Sequence, residues 1–310
     1  MYPAPPAMKI TRSRLAWGTV PKLDEIADVL VTAVLQGGRE ILAVRQAGTV
    51  YARYKDEKEL VTTADQKSDA AILKVFQSKL RALDPAISFH LEESGITGTP
   101  GLKIAGADPL DGTNHFATGG TSYSVMAHYV EDGVPLVGVV FQPEVFLPLA
   151  ENENCIGRLV FAVQGGGAIV QRSDYRKKSF ALSKPRRVVK RSVPQTKAFV
   201  ACVPFGSKMT AEQRDLAMKV HMSGIIASTT GVGGAGGNVM LSIFGGQDVY
   251  ANFGAGEDLD LIPPQVIAHE AGLTVWGIDR KLPVWHVRKQ PFIVAPSPEI
   301  AERFLQAAGL

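Results

Sequence analysis

The sequence predicts an α+β first half joined to an α/β second half. Three observations predict it: two apolar-periodic segments come first, a meander of short apolar runs follows, and strand-like and helix-like segments then alternate to the end.

The elements follow in order. From Leu23 to Val44 apolar residues recur at helical spacing (Ile26, Val29, Leu30, Ala33, Val34, Ile41), predicting a long amphipathic helix with an interruption at Gly37-Gly38. Thr63 with Gln66 fits a capping box for a second helix, with Ala70, Ile72, Leu73, Val75 and Phe76 as its apolar face and an end near Leu83, before Asp84-Pro85. Short strands are expected at Ile87 to Leu91 and Lys103 to Ala107. Ser122 to Tyr129 and Pro135 to Phe141 flank a hairpin turn at Glu131-Asp132-Gly133. Further strands fit Arg158 to Val163, Ala168 to Gln171, Ala198 to Val203 and Asp248 to Ala251. Helices fit Thr210 to Met222, Gly237 to Phe244, Asp260 to Ala271 and Pro298 to Ala308. Lys and Arg crowd residues 165–195, between two strand-rich regions. The expected division is 1–165, an α+β half with the acidic motifs, and 166–310, an α/β half that completes the site.

Composition sets bounds. With 45% hydrophobic and 20% charged residues and a formal net charge of +3, the 310-residue chain reads as an ordinary globular protein and not a polycation. Cys155 and Cys202 are expected as reduced thiols in a cytoplasmic protein. No apolar run has the length of a membrane helix, and Met1 to Leu15, with Pro3, Pro5 and Pro6, does not read as a signal peptide.

The sharpest local feature is Asp108-Pro109-Leu110-Asp111-Gly112-Thr113 at the end of an apolar strand. Two carboxylates three residues apart, with Pro fixing the bend, can converge on one point, and the segment holds no basic neighbour. Buried acids in that arrangement call for cations. Magnesium takes hard oxygen donors, backbone carbonyls included, so the Leu110 carbonyl is available to join. The Gly112 and Thr113 amides are placed to hold a phosphate, and the Thr113 hydroxyl to orient a water. Taken singly, Asp-Gly is an ordinary turn. Glu92-Glu93, also at a strand end, Asp65 in the first turn of the second helix, and Asp260 opening a late helix are the other carboxylates of interest. Helix-dipole placement alone would account for Asp65 and Asp260, and Glu93 and Glu270 read as solvated or structural acids.

In order, Leu60-Val61-Thr62-x-x-Asp65, Glu92-Glu93-Ser94, Asp108 to Thr113, and Asp260 followed by Glu270-Ala271-Gly272 resemble the inositol monophosphatase family over roughly residues 25–275. The resemblance implies a layered αβαβα sandwich and a homodimer. It implies Glu92 and Asp108, with the Leu110 carbonyl, as ligands of a first Mg2+, and Asp108, Asp111 and Asp260 as ligands of a second. Asp65 and Thr113 would position the attacking water, and Glu92 shares the catalytic centre. Gly112 and Thr113 would cradle phosphate, and Gly234 and Ala235 would lie on the substrate-facing loop. The implied activity is magnesium-dependent hydrolysis of a small phosphate monoester by a metal-activated water, without a phosphoenzyme. A 3′-phosphonucleotide phosphatase, a histidinol-phosphate phosphatase, a fructose bisphosphatase and a non-catalytic ligand-binding member of the fold are the rival readings.

The chain departs from the family pattern outside the acidic residues. Asn114-His115-Phe116 stands for Thr-Asn-Phe, Leu259 for Trp and Leu273 for Gly, while Lys55 is a loose match to a family lysine. Seven residues before Asp260, where inositol-specific members carry a carboxylate, stands Phe253, with the neutral Asn252 beside it and Glu257 and Asp258 nearby. An aromatic surface at Phe253 would favour a flatter, less hydroxylated leaving group.

Gly231 to Gly236 satisfies G-x-G-x-x-G, but Ser223 to Thr230 is a poor buried strand, so a dinucleotide site is not expected. The basic run Arg172, Arg176, Lys177, Lys178, Lys184, Arg186, Arg187, Lys190, Arg191 and Lys197 reads as a solvated face rather than a nucleic-acid surface, since few aromatics interleave. It is also placed to attract an anionic substrate. His115 is expected near the site.

Overall fold

A computed structural model describes residues 21–48, 50–54, 60–99, 101–145, 157–174, 181–190, 197–206, 209–254, 258–283 and 291–310. The N-terminal prolines, Lys55, Cys155, Glu257 and, from the basic run, Arg176, Lys177, Lys178 and Arg191 lie outside the described residues.

The first helix, α1 (Pro21–Gln46), runs through Gly37-Gly38 without a break. A Cβ on Gly37 would sit 2.5 Å from Ser68 Oγ, and one on Gly38 would sit 2.5 Å from Phe141 Cε1. The pair therefore marks a close approach rather than an interruption. Glycine's helix cost of about 1 kcal/mol is offset by packing on two neighbours.

The strands β1 (Ala52–Tyr54) and β2 (Leu60–Thr62) form a small antiparallel ribbon leading into α2 (Thr63–Val75). The capping residue is Thr62, one position before the expected Thr63. Its hydroxyl accepts from the Ala64 amide at 3.1 Å, and its own amide donates to Asp65 at 2.8 Å. The helix continues through a wide turn, Phe76–Leu80, and α3 (Arg81–Leu83). Asp84 then binds Lys22 at 2.5 Å and Lys103 at 2.8 Å, tying the helical pair to the sheet.

The large sheet comprises β3 (Ser88–Leu91), β4 (Gly95–Thr97), β5 (Lys103–Asp111), β6 (Ser124–Glu131), β7 (Val134–Gln142), β8 (Gly157–Val163), β9 (Gly167–Asp174), β10 (Ala181–Leu182) and β11 (Arg186–Arg187). Its order is β10-β9-β8-β7-β6-β5-β3-β4, with β11 beside β9. Among the described strands of this sheet, only β3 and β5 pair in parallel. Asp132 and Gly133 both have positive φ, at 52° and 77°, as a two-residue hairpin turn of this twist requires. The short helix α4 (Thr113–Ala117) lies between β5 and β6.

A second, five-stranded sheet is ordered β13-β12-β14-β16-β15. Its members are β12 (Phe199–Cys202), β13 (Ile226–Thr229), β14 (Val249–Asn252), β15 (Thr274–Gly277) and β16 (Phe292–Ala295), and β12 runs parallel to both β13 and β14. The helices α5 (Ala211–Met222), α6 (Ala235–Phe244), α7 (Asp258–Glu270) and α8 (Pro298–Ala308) alternate with these strands.

Residue alternation along the strands sets the layers. Val125, Ala127 and Tyr129 of β6 join Leu30, Val34 and Ile72 in one core, whereas Met126 and Val130 join Val239, Leu261 and Ile267 in another. Tyr250 and Val294 of the second sheet close that middle core. Val249, Ala251 and Ile293 face a third, with Ala217, Val220 and Phe304. The layers are thus α1/α2, large sheet, α6/α7, small sheet, α5/α8: the αβαβα sandwich.

Candidate active site

The site lies where the middle layer meets both sheets. Asp108 and Asp111 end β5, the strand fed by the Ala105-Gly106-Ala107 run, and Asp260 stands in the first turn of α7. One carboxylate oxygen from each lies within 4.8 Å of the others, with Asp108 and Asp111 buried. Burial pushes the Asp108 carboxyl well up, and the charges of Glu92, Asp260 and Asp111 push it further. Burial, then the Asp260 charge, raises Asp111 to about 7, although bonds from Ser124, Ala235 and Gly236 pull the other way. Glu92, exposed, stands outside this trio one residue past the end of β3. A dense set of hard oxygen donors, each raising its neighbours' proton affinity, has the chemistry of a hard divalent cation site. The residues present fit such an ion.

The surrounding bonds hold these groups in place. Asp108 Oδ1 accepts from the Leu110 amide at 2.8 Å, folding the Asp-Pro-Leu turn back on itself. Ser68 on α2 donates to the Pro109 carbonyl at 2.8 Å. Asp65 accepts from the Thr62 amide and hydroxyl at 2.8 and 2.5 Å, and from the Thr113 hydroxyl at 2.9 Å. Thr113 Oγ1 is also 3.0 Å from the Leu110 carbonyl. Burial raises Asp65 despite these bonds. Gly112 precedes α4 with φ 95°, and a Cβ there would meet the Ser122 carbonyl at 3.0 Å.

The Gly-rich loop has a different role from a nucleotide cradle. It does follow a strand, the mostly exposed β13, and it does open a helix, α6. Yet the Ala235 and Gly236 amides donate to the two Asp111 oxygens at 2.9 and 3.0 Å, so a carboxylate of the chain already occupies the helix start. Gly234, with φ 86°, presses so close that a Cβ would fall 2.2 Å from Asp111 Oδ1. The His115 ring packs against Gly233 in the same loop.

Two positioning groups escaped the sequence reading. Asp69 accepts from the Glu93 and Ser94 amides at 3.1 and 3.4 Å, and also from the Ser94 hydroxyl, fixing the turn that carries Glu92. Its signal was present, since Asp69 lies one helical turn after Asp65 on the same face of α2. Ser124, bonded to Asp111 at 2.8 Å, carried no signal beyond its place at a strand start. Glu270 accepts from the Gly165 and Gly167 amides at 2.8 Å each, a structural acid as expected. One expectation fails. Phe253 is 1% exposed and packs in the third core with Met209 and Val203, so it offers no aromatic surface to a substrate. Strand alternation explains this, because Phe253 follows Asn252 and points to the opposite side.

A family model described as "Inositol monophosphatase family" matches residues 22–309. The chain belongs to this family. A stretch of 117 residues is 34% identical to an inositol-1-monophosphatase of Synechocystis, covering 37% of this chain and 39% of that protein. The phosphatase IMPL1 of Arabidopsis thaliana is 36% identical over 120 residues, or 37% of this chain and 29% of that protein. These matched stretches thus span well under half the length of either relative. Among solved structures, the suhB extragenic suppressor protein of Bartonella henselae superposes with a TM-score of 0.70 at 18% identity, covering 91% of this chain and 98% of that one. A staphylococcal inositol monophosphatase solved with its products gives 0.65 at 17%, covering 92% and 95%. At those identities the likeness shows the shared fold. No described helix is long and apolar enough to cross a membrane.

Proposed function

We propose that this member of the inositol monophosphatase family hydrolyses a small phosphate monoester with magnesium. The observation that carries the reading is the convergence of buried Asp108 and Asp111 and half-buried Asp260 within 4.8 Å. Glu92, Asp108, the Leu110 carbonyl, Asp111 and Asp260 would hold Mg2+, which when bound neutralises phosphate oxygens, eases deprotonation of water and stabilises the leaving alkoxide. The chain's own residues do the rest. Asp65 accepts a proton from the water that it and the Thr113 hydroxyl orient, and its raised proton affinity suits a general base better than an ordinary carboxylate. The Gly112 and Thr113 amides receive phosphate oxygens. Gly234 and Ala235, which crowd Asp111, border the substrate side. Assembly as a homodimer and a cytoplasmic location belong to the same reading and rest on the family resemblance.

At the position that inositol-specific relatives use, the described residues offer no polyol contact. Phe253 is turned into the core, and the Asn252 amide is engaged by the Gly254 amide at 2.9 Å and the Tyr250 hydroxyl at 3.3 Å. A site without groups aimed at ring hydroxyls leaves them unpaired. We therefore expect myo-inositol 1-phosphate to be hydrolysed but not to be the best substrate. The test is phosphate release, with magnesium and with chelator, from a panel of inositol, sugar, nucleotide, sugar bisphosphate and histidinol phosphates. Magnesium-dependent release is expected. No release from any member contradicts a phosphatase, and inositol phosphate leading by about tenfold in kcat/KM, about 1.4 kcal/mol, contradicts the leaving-group reading.

A further inference from the structure

Arg45 lies in the last turn of α1, an element that supplies no group to the site. Its guanidinium lies over the Phe116 ring at 4.5 Å and the Tyr123 ring at 5.2 Å. Nη1 and Nη2 donate to the Gly119 and Gly120 carbonyls at 3.2 and 2.7 Å, and Nε faces Glu144 at 2.9 Å. Glu144 also accepts from the Tyr123 hydroxyl at 2.6 Å. A planar fork with several directed donors makes this set of contacts, and a lysine cannot reproduce it.

These contacts grip the far end of α4. The chain folds back there, with the Gly119 amide donating to Phe116 at 3.0 Å and the Gly120 amide to His115 at 2.7 Å. The His115 ring braces the flank of α4 against Gly233, where a Cβ would fall 2.3 Å from Cδ2. Thr113 opens the same five-residue helix. We propose that Arg45 is a positioning residue that holds the Thr113 hydroxyl against Asp65 by clamping α4, and thereby sets the rate of water attack. The proposal rests on the phosphatase reading, in which Asp65 and Thr113 hold that water. A misplacement of about 1 Å in such a group costs up to about a hundredfold in rate.

Arg45→Lys keeps a charge beside Glu144 but loses the fork to Gly119 and Gly120. Amide hydrogen exchange across residues 113–120 is expected to quicken about tenfold or more. On the fastest panel substrate, kcat is expected to fall about tenfold or more while KM stays within about twofold. The magnesium-induced rise in melting temperature should persist, because the carboxylates stand on β5 and α7. Tyr123→Phe removes only the hydroxyl that steadies Glu144. It should move exchange and kcat the same way by less, and it decides the question if the lysine variant does not fold. Wild-type exchange in the folded variant overturns the proposal, as do fast exchange with unchanged kcat and losses that simply multiply when Arg45→Lys is combined with Thr113→Ala. No turnover of any panel substrate by the unmodified protein sinks the phosphatase reading, and the rate claim with it, whereas faster exchange with unchanged kcat sinks the Arg45 claim alone.

Discussion

Asp65 and Asp111 divide the work of the site, and single substitutions separate them. Asp65→Asn leaves the carboxylate trio intact, so it should retain the magnesium-induced melting shift while lowering kcat about 10²- to 10⁴-fold. Asp111→Asn should lose both, because Asp111 is at once a candidate ligand and the acceptor for the start of α6. Near-wild-type turnover in both variants contradicts this division. Asp111 also carries a pH signature. Its proton affinity in the fold, near pH 7, exceeds that of an unfolded carboxyl near about 4. The metal-free fold therefore holds a proton that the unfolded chain has released. The stability from that group is complete below about pH 4 and is lost as pH rises through about 7. Chelated protein should melt at progressively lower temperature from about pH 5 to about pH 8, and excess magnesium should flatten the fall by taking the proton's place. A chelated melting temperature that is flat or rising over that range contradicts the assignment. Phe253 shows the limit of reading single residues: its place in the family motif was legible, but the side of the strand it faces was set by β14 pairing between β12 and β16.

The elements show where sequence patterns carry through and where packing decides. The long α1, the Glu131-Asp132-Gly133 hairpin and the start of β5 at Lys103 were all legible, because period, turn chemistry and composition agree in each; β5 runs on to Asp111, past its expected end at Ala107. The strands β13, β15 and β16 were not: β13 is mostly exposed and carries no buried apolar run, and β15 and β16 become strands by pairing with each other and with β14. Gly37-Gly38 misled for another reason. Local propensity marks a break, while the tertiary contact that the glycines permit is invisible along the chain. That contact reaches the site, since Gly37 abuts Ser68 and Ser68 holds the Pro109 carbonyl between the two motif aspartates. Gly37→Val should cost about 1–3 kcal/mol by overpacking and should lower kcat as well as melting temperature. A variant that melts and turns over like the parent would contradict the close approach of α1 and α2.

Across the whole molecule, the large sheet and the middle helices converge on a cluster of carboxylates whose charges raise one another's proton affinity. Asp108 and Asp111 come from the large sheet, Asp260 from α7, and the Ala235 and Gly236 amides from the first turn of α6. A cation bound there would join elements separated by more than a hundred residues and stabilise the fold as a unit, by mass action on the folded state. The most direct test is the melting temperature of the wild-type chain near pH 7.5, stripped with chelator and then returned to excess magnesium. At about a hundred times the dissociation constant the gain is about 2.7 kcal/mol, a rise of about 4 °C for a chain of this size. A rise of that order, lost in Asp111→Asn, is the predicted result; the same melting temperature with and without magnesium would contradict the cation site on which the proposed function stands.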